Sequence, residues 1–344
     1  MTEKMNMLEK VISAILDGAE LIIADVGAAN GLPTNLQPLA GVAKLLFFEP
    51  DGKAAENLQR ELAASGHAKA QVLPVALAGS DGPRTLYVTN VPTGSSLLKP
   101  GSEFFNAFGN SDYFFPMREV TVQTRRLNGV LAENNLPRLD ALKIDTQGAE
   151  LEILQGLGQV FTDQTLCVEL EIGYPGGYIN QPGFGQLDAL ITQAGFYLFD
   201  LKLTSADRHR KGDGGYYRRE VFHVAQNSPS ITKRVGEADA VYFRRTDQVL
   251  ASKDPAIVRR LMVMMCIYGF FVDAYILADD AQAADVLSVD QAEACRRALR
   301  DWHGATRDVL LDLPAFAWFS SFLRRAWRFW QRRLLGRRFY RWQD

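Results

Sequence analysis

Two acids and a pair of glycines carry the first chemistry legible in this chain. In "LIIADVGAANG", residues 21–31, an apolar run ends on Asp25 and then passes Gly27 and Gly31. Glu49 follows 24 residues after Asp25, where a second apolar run, "KLLFFEP", finishes. A carboxylate about 20 residues beyond such a turn is placed to accept both hydroxyls of a ribose. Gly27 lets the backbone approach a ligand where a Cβ would collide with it, and Gly31 permits the turn into the next segment. The G-x-G-x-x-G cradle for a pyrophosphate is absent, since the stretch runs Gly27, Ala28, Ala29, Asn30, Gly31. Two carboxylates, a glycine turn and no phosphate site describe an adenosine carrying a cationic group, and S-adenosylmethionine is that molecule. The plainer alternative is an ordinary tight turn from strand to helix.

Methyl transfer from a sulfonium is an in-line displacement with an activated leaving group. The protein must position the acceptor and manage its proton, so acids are expected near the ends of later strands. Asp145 ends the run "LDALKID" and is one of the strand-end acids so expected; its plainer role is to cap the helix starting near Gly148, and the two are compatible. Lys143, two residues back on the same strand face, is expected to pair with an acid. In "TLCVELEIG", Glu169 and Glu171 alternate with apolar residues and share one face. A carboxylate inside a buried strand is costly unless paired or used. Glu171, nearer the carboxyl end, serves as a base or as a ligand for an assisting divalent metal, or forms a salt bridge with Lys143. The acids leave the metal open, but no ligand motif supports one. Ser95 and Ser96 in "TGSSLL" either grip the cofactor or acceptor or belong to a plain turn. His223 in "EVFHVA" reads as a packed strand histidine before a base.

The elements that must hold these residues follow from pattern. Near-continuous apolar runs alternate with helical segments to about residue 225, which predicts a doubly wound, mostly parallel α/β sheet. "FYLFDL" and "EVFHVA" flank a polar loop, so they are expected to pair antiparallel at the edge. That loop, residues 204–220, mixes arginines with Tyr216 and Tyr217 and suits a sugar or anionic acceptor, or is simply solvated. "QNSPSITKRVG" reads as a linker, and from about residue 237 the chain looks helical with no strand alternation. The expected division is 1–228, opened by a helix at 1–19, and a helical region at 229–344.

"DVGAANG", "FFEPD", "ALAGSDGPRTLYV", "TGSSLL", "TVQTRRLNGVL" and "LDALKIDTQGAELEILQGLG", in that order, resemble the FkbM-type family of S-adenosylmethionine-dependent methyltransferases. The resemblance covers about residues 20–225, and "KIDTQGAELEIL" is its most specific part, similar to that family's Lys-Ile-Asp-Val-Glu-Gly-Ala-Glu signature. It implies the class I methyltransferase fold, a Rossmann-like sheet, and O-methylation of sugars, glycolipids or polyketides. The cofactor set it implies, together with the residue reading, is Asp25, Gly27, Ala28, Asn30, Gly31, Glu49, Pro50, Ala76 and Asp145, with Asp145 and Glu171 as catalytic candidates. Ala29 stands where the family commonly has Asn, with Asn30 displaced by one. Gln147 replaces the signature's second acid, leaving Asp145 and Glu150 as the acids of that segment.

The tail 322–344 sets eight arginines among Trp327, Trp330 and Trp342. That composition suits a helix on an anionic membrane surface or a lipid-linked acceptor, an edge helix with solvated arginines, or, with no base-reading motif to support it, nucleic acid. Cys167, Cys266 and Cys295 lie far apart, which argues against a disulfide framework or zinc site and for a reducing compartment. The four histidines are scattered, so a histidine metal centre is not expected. The amino terminus has no basic-then-apolar export signal, and no run reaches the roughly 18–20 apolar residues of a spanning helix. A cytoplasmic protein, peripheral at the inner membrane face if the tail binds lipid, is the expectation. Net charge near −2 identifies no partner, and nothing sets the oligomeric state. A degenerate scaffold, to which Ala29 and Gln147 give room, and a nicotinamide-dependent oxidoreductase, against which the missing third glycine counts, are the competing functions.

Overall fold

The structure is a computed structural model describing residues 2–28, 31–39, 41–67, 69–101, 114–173, 177–206, 220–223 and 234–306. Apolar runs that end in acids form the centre of a seven-stranded sheet. Its strands are β1 (Leu21–Val26), β2 (Ala43–Phe48), β3 (Gln71–Leu73), β7 (Ala141–Ile144), β8 (Cys167–Gly173), β9 (Phe196–Ala206) and β10 (Arg234–Arg244). They lie in the order β3-β2-β1-β7-β8-β10-β9. The first five pair parallel, and β10 runs antiparallel to both β8 and β9. Strand order reverses at β1, which has β2 on one side and β7 on the other, so a crevice opens beyond the carboxyl ends of β1 and β7. A three-stranded sheet, β4 (Ala76–Leu77), β6 (Pro116–Arg125) and β5 (Gly82–Thr89), stands beside that crevice.

Helices cover both faces, as continuous apolar strands require. One buried cluster joins α1 (Thr2–Leu16), α2 (Gly52–Ala64), α8 (Pro255–Ile267), α9 (Phe271–Ala283) and α10 (Val289–Thr306) to Leu21, Ile23, Leu45, Phe47, Val241 and Phe243. The other joins α3 (Leu127–Glu133), α4 (Glu150–Leu157), α5 (Gln159–Asp163) and α6 (Phe184–Gln193) to Ile22, Ala24, Leu142, Ile144, Val168 and Leu170. A short helix, α7 (Thr246–Ala251), leads from β10 into α8. Helix α8 is buried along nearly its whole length, and its two arginines tie it to the sheet and to the end of α1. Arg260 Nη1 lies 3.0 Å from Asp140 Oδ1, while Asp140 Oδ2 accepts the Ile22 amide at 2.8 Å. Arg259 donates to the Ile15 carbonyl at 3.1 Å.

Two expectations are corrected here. "EVFHVA" is not the final strand: Val221 and Phe222 are exposed, and His223 has φ +50°, outside strand geometry. The antiparallel partner of β9 is Arg234–Arg244, inserted between β8 and β9, so the sheet continues beyond residue 228, where the sequence divides the chain. The helical segments that follow share a core with β1 and β2. All three cysteines are buried and unpaired. No helix among the described residues is long and apolar enough to cross a membrane. The basic tail 322–344 and most of the 204–220 loop lie outside the described residues.

Candidate active site

Glycine at position 27 is dictated by the protein before any ligand is considered. Its φ is +89°, and a Cβ there would sit 1.8 Å from the Asp145 carbonyl oxygen. The close approach predicted at this turn is therefore made by the end of β7. The Gly27 amide donates to the Phe48 carbonyl and the Asp145 amide to the Val26 carbonyl, so the ends of β1, β2 and β7 are tied at one point.

A cavity of about 380 Å³ opens there. Gly27, Glu49, Pro50, Ala76 and Asp145 from the expected set line it, with Ser95 and Ser96. Leu86 and Val88 of β5, Asn57 of α2 and Arg118 of β6 complete walls that no sequence pattern pointed to. Glu49 is 6% exposed, and its Oε1 accepts the Asp51 amide at 2.8 Å. Burial and the nearby Asp51 charge push its carboxyl above the ordinary range, with the Asp51 amide working against them. Asp51 itself caps α2 by accepting the Lys53 and Ala54 amides.

Among the described residues, the other expected cofactor residues, Asp25, Ala28 and Gly31, do not line the cavity. Ala28 is packed in the core, and Gly31 lies beyond the turn, facing Glu61 of α2. Asn30, with Ala29, falls outside the described residues. Asp25 sits beneath the turn, 1% exposed, with Lys143 Nζ 3.5 Å from its Oδ1. Burial raises its carboxyl to about 6, against the pull of Lys143 and with the help of Glu169 and Asp145. The expected partner for Lys143 is thus Asp25 rather than Glu171. Burial disfavours the ammonium, but Asp25, Asp145, Glu169 and Asp239 outweigh it and raise Lys143.

Beyond Asp145 the chain makes a tight knot. Gln147 has φ +57° and Gly148 φ +118°, and a Cβ on Gly148 would come within 2.7 Å of Leu98. Glu150 closes the knot from below, accepting from the Thr146 and Gly148 amides and the Thr146 hydroxyl at 3.0–3.1 Å. It is therefore a structural acid. Gln147 uses its side-chain amide to bridge the two catalytic candidates, donating to Asp145 Oδ1 at 3.0 Å and to Glu171 Oε2. The Tyr178 hydroxyl donates to the Gly94 carbonyl at 2.8 Å and lies 3.1 Å from Gln147 Oε1. Ser96 donates to the Gln147 carbonyl at 2.8 Å, and Ser95 accepts the Thr89 amide at 3.2 Å, so both hydroxyls are engaged by the protein.

Glu171 is pushed up to about 10, first by burial and then by the charge of Asp145 and a hydrogen bond with it. Burial and the neighbouring Asp145 thus favour the protonated form of Glu171, the form that can donate a hydrogen bond. Among the described residues no cluster of three or more histidine, cysteine or acidic side chains could hold a metal.

Comparison with known proteins identifies a family for the chain. The methyltransferase FkbM domain matches residues 25–198. Methyltransferase sdnD of Sordaria araneosa is 31% identical over 193 residues, covering 51% of this chain and 73% of that protein. Among solved structures, methyltransferase FkbM from Methylobacillus flagellatus KT is 14% identical with a TM-score of 0.35. The match covers 66% of this chain and 44% of that one, less than half its length. Magnesium protoporphyrin IX methyltransferase from Synechocystis PCC 6803, solved with bound SAM, is 10% identical with a TM-score of 0.32, covering 70% of this chain and 79% of that one. With a family domain over half its residues and a class I-type sheet beneath it, the chain is a methyltransferase and belongs to the methyltransferase FkbM domain family.

Proposed function

We propose that the protein transfers the methyl group of S-adenosylmethionine to a hydroxyl oxygen, on a sugar of a glycan, glycolipid or other secondary metabolite. The observation that carries this reading is the meeting of Gly27, Glu49 and Asp145 in one cavity. Its volume lies within the roughly 300–1,000 Å³ of small-molecule sites. The donor set fits the cofactor: with Oε1 of Glu49 engaged by an amide, the second oxygen has no bond among the described residues and suits a ribose hydroxyl. Pro50, Ala76 and Leu77 offer apolar surface to a purine, and the acids Glu49, Asp51 and Asp145 line the wall with a single cation, Arg118, which favours a positively charged ligand. When bound, the cofactor supplies a methyl group on a positively charged sulfur, so no acid is needed for the leaving group.

The chain's own residues then have two tasks. Glu49 and the Gly27 backbone hold and orient. Asp145, fixed by the Gln147 amide and by neutral Glu171, takes the proton as the acceptor's O–H bond breaks and the new C–O bond forms. Arg118 of β6, which also lines the cavity, is the cation available to an anionic group of the acceptor. The arginines and tryptophans of 322–344 extend the proposal to an anionic membrane surface or a lipid-linked acceptor.

Calorimetric titration with S-adenosylhomocysteine tests the cofactor: wild type binds, and Glu49→Ala weakens binding by about 1–3 kcal/mol through the lost hydroxyl contacts. Folded wild type that stays silent at millimolar ligand overturns the reading. The acceptor is sought by mass spectrometry of glycans and lipids from cells with and without the gene, looking for a difference of one methylene.

A further inference from the structure

One side chain from the helical segment, outside residues 25–198 matched by the family, reaches the charges beneath the glycine turn. Asp25, Lys143 and Glu169 are direct cross-strand neighbours on β1, β7 and β8. Lys143 therefore stands between two carboxylates. Its ion pair with Asp25 is long, at 3.5 Å, and Asp25 Oδ1 makes no hydrogen bond. Glu169, 9% exposed, is held from the far side: the hydroxyl of Tyr268, in the turn after α8, donates to its Oε2 at 2.6 Å. The Tyr268 ring is fixed edge-on to Phe243, with centroids 5.9 Å apart.

We propose that Tyr268 is a positioning residue for the cofactor turn, satisfying Glu169 so that Lys143 stays committed to Asp25. The inference rests on reading that turn as the cofactor site. Without the hydroxyl, Glu169 is a buried carboxylate lacking its donor, and the adjacent cation is Lys143. As the ammonium moves toward Glu169, Asp25 loses its counter-charge, takes up a proton at higher pH, and no longer anchors the strand end below Gly27. Burial pushes the Tyr268 hydroxyl well above its ordinary range, so it remains a donor across neutral pH. The other groups bearing on this balance are Asp145 beyond β7, Asp239 on β10, Cys167 on β8, and Lys202 on β9, whose Nζ lies 5.9 Å from the Tyr268 ring centroid.

The test uses the full chain as wild type, Tyr268→Phe, Glu169→Gln and the double variant; Phe keeps the ring packing. Two quantities are read: the Asp25 titration in the ligand-free protein by carboxyl carbon NMR, assigned with Asp25→Asn, and S-adenosylhomocysteine affinity across pH. In Tyr268→Phe the Asp25 midpoint should rise from about 6, and affinity at neutral pH should fall with the ionised fraction of Asp25, about twofold for a midpoint near 7 and about tenfold for one near 8. Both should return toward wild type in the double variant, because an uncharged amide at position 169 does not compete for Lys143. An unmoved Asp25 midpoint overturns the proposal, as does a midpoint that moves without loss of affinity. A double variant as weak as Tyr268→Phe makes the role one of packing, which also overturns it. If wild type binds no S-adenosylhomocysteine, the cofactor reading fails separately, and the ligand-free titration still decides whether Tyr268 governs Asp25.

Discussion

The two faces of the seven-stranded sheet follow different rules. On the face covered by α3, α4 and α6, side chains stay apolar along the strands: Ile22, Ala24 and Val26, then Leu142 and Ile144, then Val168, Leu170 and Ile172. On the face covered by α1 and α8, each strand changes character halfway. Leu21 and Ile23 give way to Asp25, Phe47 to Glu49, Ala141 to Lys143, and Cys167 to Glu169 and Glu171. Because side chains alternate with a period of two, one strand satisfies both rules at once. The apolar face and the amino-terminal half of the other supply the packing, and the charges are confined to one quadrant, at the carboxyl ends. Burying them costs stability, and that cost marks where the chemistry is placed.

The most severe way to break this division is at Gly27, where both faces end. Gly27→Ala must displace the Asp145 carbonyl and also hold alanine at φ +89°. We expect a loss of about 3–5 kcal/mol in denaturant unfolding and no measurable S-adenosylhomocysteine binding. Gly18→Ala is the control. Its φ is +88° but nothing lies within 4 Å, so only the backbone penalty, about 1–2 kcal/mol, should appear.

Leu170→Ala sharpens the comparison from the apolar side. Leu170 is fully buried between Glu169 and Glu171 but points away from both. Removing it should cost about 3 kcal/mol of stability while leaving cofactor affinity nearly unchanged. A large affinity loss at equal stability loss would mean that the faces are not functionally separate.

Asp25→Asn probes the charged side, and the sign is opposite. The Asp25 carboxyl lies near 3.8 in the unfolded chain and about 6 in the folded one. Between those values the folded state holds a proton that the unfolded state has released, so stability falls as pH rises through this window. Asparagine removes that slope. The variant should be more stable than wild type by about 2–3 kcal/mol above about pH 6, with the advantage gone below about pH 4. It should also bind S-adenosylhomocysteine more weakly. Thermal denaturation at several pH values, set beside calorimetry, reads both.

What the sequence makes legible follows from distance along the chain. The turn after β1 and the acid after β2 are local events: an apolar run, a glycine and a carboxylate within a few residues, at a spacing fixed by a short 3₁₀ segment, Thr34–Leu39, and the strand β2. Strand β10 is harder to see. Gly236, Glu237 and Asp239 interrupt "RVGEADAVYFR", and a helical stretch follows directly, whereas "EVFHVA" has the better apolar alternation and, among the described residues, no partner strand. The two carboxylates of β10 stand on the charged face, opposite Gly173 and Glu171 on β8, where the apolar pattern has already ended. The Tyr268 contact with Glu169 joins residues 99 apart, and no local pattern encodes it. Gln147 is visible as a departure from the family signature, but its role is not, because the bridge exists only once β7 and β8 are side by side.

The smallest expected effect tests the charged quadrant most finely. Glu171 is pushed up to about 10 by burial and by Asp145, so at neutral pH it carries its proton and acts as a donor. Glutamine has nearly the same shape, is neutral, and keeps an N–H where the acid had an O–H. Glu171→Gln should therefore lower kcat by no more than about threefold, far short of the roughly 10²–10⁴-fold that loss of a general base produces. Asp145→Asn, in contrast, should show that larger loss, since asparagine cannot take the acceptor's proton. If Glu171→Gln falls by the larger factor and Asp145→Asn by the smaller, the proton resides on the other member of the pair. Gln147 would then hold the acid at Asp145 and the base at Glu171. The acid limb of the pH–rate profile separates the two arrangements: it should survive in Glu171→Gln and vanish in Asp145→Asn.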